Sequence, residues 1–100
     1  MIRHLVLFRL RSESQASHAE HVAGMRERLE ALKSVALGVD AIQVDPDVVG
    51  GPNHWDVALV ADFADRQSLD AYQVHPDHKA AVDWMAAFVV ERSIADIELD

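Results

Sequence analysis

The chain has 100 residues, half of them hydrophobic and 26% charged, with no cysteine and a formal net charge of −8. That length makes one domain spanning residues 1–100, able to bury roughly 60–65% of its unfolded surface, and the composition is not that of a disordered segment. The acidic balance disfavours nucleic acid and anionic membrane surfaces as partners, the missing cysteines remove disulfides and thiolate chemistry, and no apolar run reaches the ~18–20 residues of a membrane span.

The N-terminus runs straight into alternating strand residues, without the charged and apolar regions of a signal peptide, so a cytoplasmic protein is expected. Residues 2–10, IRHLVLFRL, read as a strand with Ile2, His4, Val6, Phe8 and Leu10 on one face and Arg3, Leu5, Leu7 and Arg9 on the other. Ser12 to Ser17 form a turn, with Ser17-x-x-Glu20 as a capping box. Val22, Met25, Leu29, Leu32 and Ala36 then recur at steps of three and four, the spacing of an amphipathic helix that Gly38 ends. Val39 to Asp45 is a second strand stopped by Pro46, and residues 45–54 form a loop.

Trp55 to Phe63 is a third strand, with Trp55, Val57, Leu59, Ala61 and Phe63 on one side. Asp65 opens a short helix carrying Leu69 and Tyr72, which breaks before Pro76 because a residue preceding proline is driven out of helical geometry. Pro76 suits the first position of a new helix with His75 at its cap, and that helix runs to about Phe88. Val90 to Leu99 is the last strand. The order β-α-β-β-α-β predicts a ferredoxin-like α+β fold with a four-stranded antiparallel sheet covered on one face by helices. The first strand is apolar on both faces, and Val60 adds to the uncovered side. With no further helix to shelter it, a second copy of the sheet is the simplest cover, so a homodimer is expected; a monomer with a partly apolar sheet face is the alternative.

The segment YQVHPDH at 72–78 concentrates two of the six histidines beside the one tyrosine. At 100° per residue, Ala81, Val82, Met85 and Val89 lie close to the direction of His78, which places its ring at the start of the inward stripe of the last helix. In the first helical turn the dipole disfavours imidazolium, and a neutral imidazole facing an apolar interior is a candidate general base. Tyr72 shares the inward face of its helix with Leu69. The competing reading is a helix-start histidine bonded to a backbone carbonyl and a tyrosine used as core. His4 shares a face with Val6 and Phe8, and periodicity leaves open whether that face lies beneath the helices or at the dimer interface.

Two HxxH pairs, His18/His21 and His75/His78, lack the HExxH spacing of a helical zinc site, so no metal is expected. Gly50-Gly51 lacks the strand–glycine–helix context of a phosphate loop, and Asp45, Asp47, Asp56 and Asp62 do not follow calcium-loop spacing. His18, His21 and His54 carry no assigned role.

The opening IRHLVLFRL, the run WDVALVADF, and DAYQVHPDHKAAV followed by a strand ending in IADIEL together resemble the stress-responsive A/B-barrel (Dabb) domain over nearly the whole chain. The most specific piece is Tyr72-x-x-His75-Pro76-x-His78. The resemblance implies a ferredoxin-like protomer and a homodimer whose sheets form a dimeric α/β barrel. It also implies cofactor-free chemistry of the kind seen in a plant polyketide cyclase of this type, where the motif histidine acts as base and the motif tyrosine holds the substrate. Those roles fall on His78 and Tyr72, and a first-strand histidine of that enzyme corresponds to His4. Two features do not carry over: Val57 stands where that enzyme has a third-strand histidine, and Val22, Ala23 and Met25 stand where it has aromatic residues on the first helix.

The expected site therefore has His78 and Tyr72 in catalytic roles, and His4, His75, Val57 and Met85 against the ligand, with no cofactor. Three functions follow. One is a binding module for a small apolar or aromatic molecule; another is a cofactor-independent cyclase, lyase or monooxygenase-like enzyme using His78 as base; the third is a dimer that serves interaction alone. A cavity reaching His78 and Tyr72 separates the first two from the third.

Overall fold

The two-residue alternation of the first strand survives in the sheet. In the computed structural model, which describes residues 1–99, β1 (Ile2–Leu10) turns His4, Val6 and Phe8 into the core and leaves Arg3, Leu5, Leu7 and Arg9 on the opposite face. It is followed by α1 (Gln15–Glu30), a 3-10 turn (Ala31–Ser34), β2 (Val39–Pro46), β3 (Val57–Phe63), α2 (Arg66–Val74), α3 (Pro76–Met85) and β4 (Val89–Glu98). The strands lie in the order β2-β3-β1-β4, every neighbouring pair antiparallel. This is the ferredoxin-like α+β fold the element order predicted.

Several boundaries differ from the sequence reading, each for a local reason. The capping box is Ser14 with Ser17, because Ser14 is the last extended residue and its hydroxyl accepts from the Ser17 amide at 3.1 Å. The first helix stops at Glu30 and tightens into the 3-10 turn, so Gly38 ends a longer connection with φ of +80°. A Cβ there would strike the Ser68 side chain. Pro46 belongs to β2, where an edge strand tolerates a missing N–H. The third strand starts at Val57, not Trp55, because the Asp56 carboxylate takes the Leu10 amide at 2.7 Å in place of a regular ladder bond. The last helix ends at Met85, where the Phe88 amide bonds the Met85 carbonyl at 3.0 Å and turns the chain into β4. His75 caps that helix and Pro76 opens it, as expected.

The helices and the inner sheet face enclose one core, with Met25, Leu29 and Leu32 packed over Val44, Val57, Leu59 and Phe63. Removing such a side chain costs about 2–5 kcal/mol through lost burial and the space left behind. The outer face is different. Register sets Leu5 beside Val60 and Ala95, and Leu7 beside Ala58, while Ile97 lies beside Arg3. Ion pairs Arg3–Asp62 at 2.8 Å and Arg9–Glu91 at 2.9 Å flank this apolar stripe. No helix covers it, and Leu7 is 39% exposed and Ile97 43%.

Candidate functional site

Among the described residues His4 is the one buried polar or charged residue of the core, in the middle of the inner face of β1. Antiparallel pairing places it opposite Asp96 of β4, and its Nδ1 lies 2.6 Å from an Asp96 carboxylate oxygen. A carboxylate only accepts, so Nδ1 carries the proton and donates, leaving Nε2 without a protein partner. The face of His4, which periodicity left open, is the one under the helices.

Tyr72 and His78 come together where α2 breaks and α3 begins. Pro76 and the His75 cap force that break: His75 is extended, with φ of −62° and ψ of 137°, and its Nδ1 accepts from the Asp77 amide at 3.0 Å. The short kink swings His78 back over α2. Its ring centroid lies 4.6 Å from that of Tyr72, and the Tyr72 ring in turn lies 6.3 Å from His4. His78 Nδ1 donates to the Gln73 carbonyl at 3.2 Å. The competing sequence reading thus holds for one nitrogen. That bond fixes the tautomer and leaves Nε2 as a free acceptor.

The core does not collapse around these groups. A cavity of about 150 Å³ is lined by His4, Tyr72 and His78, by the apolar Val6, Phe8, Leu29, Leu59, Val82, Met85 and Ile94, and by Gln73 and Arg92. Tyr72 is 1% exposed, yet its hydroxyl makes no hydrogen bond to the protein among the described residues. No fully enclosed side-chain nitrogen or oxygen among those residues lacks a partner, so the Tyr72 hydroxyl and the free Nε2 atoms each keep some accessible surface, and all three residues line the cavity. Burial pushes the Tyr72 phenol up to about 12, so at neutral pH it is an O–H donor. His78 is held below the ordinary histidine range, first by burial and then by the nearby basic groups His4, Arg92 and His75, against the opposing Gln73 bond. Its ring is neutral at pH 7. Burial, rather than the helix dipole alone, keeps it so.

Four of the expected residues, His78, Tyr72, His4 and Met85, meet around the cavity. Two do not. His75 spends its Nδ1 on the helix cap, and Val57 lies one pleat beyond Leu59, which is the β3 residue that reaches the cavity. Val57 instead borders a shallow groove beneath the β2–β3 loop. Asp96, Arg92 and Gln73 were not read from the sequence. The alternation of Arg92, Ile94 and Asp96 along β4 was available as a signal, but it names cavity residues only once the β1–β4 register is known.

Of the remaining histidines, His21 and His54 have local partners. His21 stacks on Phe88 at 3.9 Å and shares a 3.0 Å hydrogen bond with the Ser12 hydroxyl. The Nδ1 of His54 lies 3.1 Å from Asp47, whose carboxyl is held below the usual range by that bond and by the Gly50 amide. Among the described residues no group of three or more histidine or acidic side chains converges as a metal site. No helix among the described residues is long and apolar enough to cross a membrane.

An apolar cavity beneath a four-stranded sheet, carrying one phenol donor and two imidazole acceptors, defines a small ferredoxin-like pocket domain. The chain belongs to the stress responsive A/B barrel domain (Dabb) family, whose model matches residues 2–99. Among solved structures it is similar to a dimeric ferredoxin-like protein of unknown function from Bacteroides fragilis, at 27% identity over 98% of this chain and 95% of that one, with a TM-score of 0.87. It is also similar to a dimeric ferredoxin-like protein from Thermobifida fusca, at 28% identity over 98% and 90%, with a TM-score of 0.80. A hydroxynitrile lyase from Passiflora edulis shares the fold at 14% identity over 99% and 93%, with a TM-score of 0.79. No curated protein matches the chain.

Proposed function

We propose that the chain is a homodimeric binding module that holds one small, largely apolar molecule bearing an oxygen in the cavity between sheet and helices. One observation carries this reading: among the described residues the Tyr72 hydroxyl and the Nε2 of His78 have no protein partner, and both residues line a largely apolar cavity. A guest that accepts from the Tyr72 hydroxyl adds a hydrogen bond worth about 0.5–1.5 kcal/mol to what its apolar burial contributes. The size sets the class. About 150 Å³ is the volume in which an engineered apolar cavity holds benzene, and well below the ~300–1,000 Å³ of pockets for drug-sized ligands. A single ring or short branched chain fits; an extended polyketide does not.

The dimer rests on the stripe of Leu5, Leu7, Ala58 and Val60 with its flanking ion pairs, an apolar centre in a polar rim. The dimeric relatives at 27% and 28% identity support it.

A catalytic variant of the same site is favoured by the state of His78. A neutral ring with Nδ1–H tied to a carbonyl presents the Nε2 lone pair to the guest. That atom can take a proton from the carbon beside a carbonyl group; the electron pair left behind moves to the carbonyl oxygen, and the Tyr72 O–H holds the resulting enolate.

The test is an NMR titration of wild type, Tyr72→Phe and His78→Ala with small phenols and aryl ketones. Binding centred on β1, α2 and α3, weakened in Tyr72→Phe, supports the reading; no binding at millimolar concentration removes it. Exchange of the proton beside the carbonyl with solvent deuterium, lost in His78→Ala, marks the catalytic variant.

A further inference from the structure

Most arginines of this chain are engaged. Arg3 grips Asp62 through two nitrogens at 2.8 and 3.0 Å, Arg9 pairs with Glu91 at 2.9 Å, Arg26 with Asp45 at 3.2 Å and Arg66 with Asp70 at 3.1 Å, while Arg28 lies over the Trp84 ring at 4.2 Å. Arg92 is not. It stands on the inner face of β4, in register with Phe8, and among the described residues no carboxylate or carbonyl accepts from its guanidinium. In a chain with 17 acidic residues against nine Lys and Arg, an unpaired guanidinium bordering an apolar cavity asks for an explanation.

The surroundings are basic. No carboxylate lines the cavity, where His4, His78 and Arg92 are the groups able to carry charge, apart from the Tyr72 phenol. Outside it, a shallow depression shares Gln73, His78, Val82 and Arg92 with the cavity and so forms its mouth. That mouth adds Lys79 and Asp83, and neither is in an ion pair among the described residues. Of the acidic residues on that face of β4, Asp96 stands closer in sequence to Arg92 than Glu98 does, and it is already held by His4 at 2.6 Å. An apolar chamber one ring wide, with a free guanidinium at its rim, has the shape of a receptor for an amphipathic anion.

We infer that the cavity selects a small monocarboxylic acid, its single-ring or short branched body inside and its carboxylate on Arg92 at the mouth. This rests on the reading of the cavity as a ligand site and adds the charge of the ligand to it. Arg92 is the specificity-determining residue; the apolar lining accepts neutral and anionic guests of equal size alike.

Benzoate and benzamide are the probes, isosteric and differing in charge, titrated by calorimetry at low salt into wild type, Arg92→Gln, Arg92→Lys and Val82→Trp. Arg92 is exposed on an edge strand, so its substitution leaves folding intact. Wild type is expected to bind benzoate roughly fivefold to tenfold more tightly than benzamide, the gain of a partly screened charge-assisted bond, and added salt shrinks that ratio. Arg92→Gln brings the ratio to about one through benzoate alone, Arg92→Lys restores part of it, and Val82→Trp, which fills the cavity, removes both ligands. Equal binding of the two probes to wild type, or a ratio untouched by Arg92→Gln, overturns the anion inference and leaves the cavity reading standing. Benzoate binding that survives Val82→Trp overturns it as well, since the carboxylate is then held outside. If neither probe binds at millimolar concentration, the inference and the cavity reading fall together.

Discussion

Asp96 accepts a 2.6 Å hydrogen bond from His4, 92 positions away in sequence and directly opposite it across the β1–β4 pair. One carboxylate at the strand edge thus settles which nitrogen of a buried imidazole faces the cavity. The bond also answers the cost of placing a histidine among Val6, Phe8 and Phe63, since a buried ring nitrogen without a partner is expensive.

Asp96→Ala is expected to lower stability by about 1 kcal/mol, the modest value reflecting a carboxylate that is 37% exposed. Urea unfolding measures the loss, and histidine ¹⁵N shifts report the tautomer. Wild type shows His4 with Nδ1 protonated, while the alanine variant shows a mixture. An unchanged tautomer would show that something other than Asp96 orients the ring.

Tyr72→Phe should leave stability in neutral buffer within about 0.5 kcal/mol of wild type, because the hydroxyl has no protein partner to lose. At high pH the two proteins diverge. The folded phenol is raised from 10 to about 12, so its contribution is complete below pH 10 and is lost as the pH rises towards 12. Tyr72 is the one tyrosine in the sequence, so phenolate absorbance follows it alone. Ionisation of the folded protein near pH 10 would refute the buried placement.

His78 gives the opposite limb. Its folded-state value lies below 6.5, so the unfolded chain takes up the proton first. Wild type keeps the full contribution above pH 6.5 and loses it as the pH falls from there through the folded value. His78→Gln removes this slope. Thermal unfolding of the two proteins between pH 5 and 8 should show wild type falling more steeply on the acid side; parallel curves would place His78 in solvent.

Leu7→Lys puts a charge at the centre of the uncovered sheet stripe, and in a two-fold dimer that charge faces its own copy. Sedimentation equilibrium is expected to give twice the chain mass for wild type and the single-chain mass for the variant, with helix content unchanged. A wild-type protein that is monomeric at micromolar concentration rejects the dimer.

Much of this arrangement was legible in the sequence where the signal is local. Pro76 marks the break between α2 and α3, and the steps from His78 to Ala81 and Met85 turn its ring inward. Tyr72 and Leu69 follow the same rule on α2 and are both buried. That Val57 and His75 lie off the cavity also has local causes. Period-two alternation tells which side of a strand Val57 occupies but not how far along the sheet the cavity lies. A histidine just before a helix can equally line a pocket or cap the helix, and the Asp77 amide claimed it.

The sequence by itself determined the element order, the inner stripe of each helix, the two apolar faces of β1 and the family, because these depend on residue types a few positions apart. Tertiary structure decided that His4 lies under the helices, that Asp96 meets it, and that Arg92 stands unpaired at the cavity mouth. Those relations join residues nearly a chain length apart. They are set by strand register, and a shift of one residue would turn each of those side chains to the other face of the sheet.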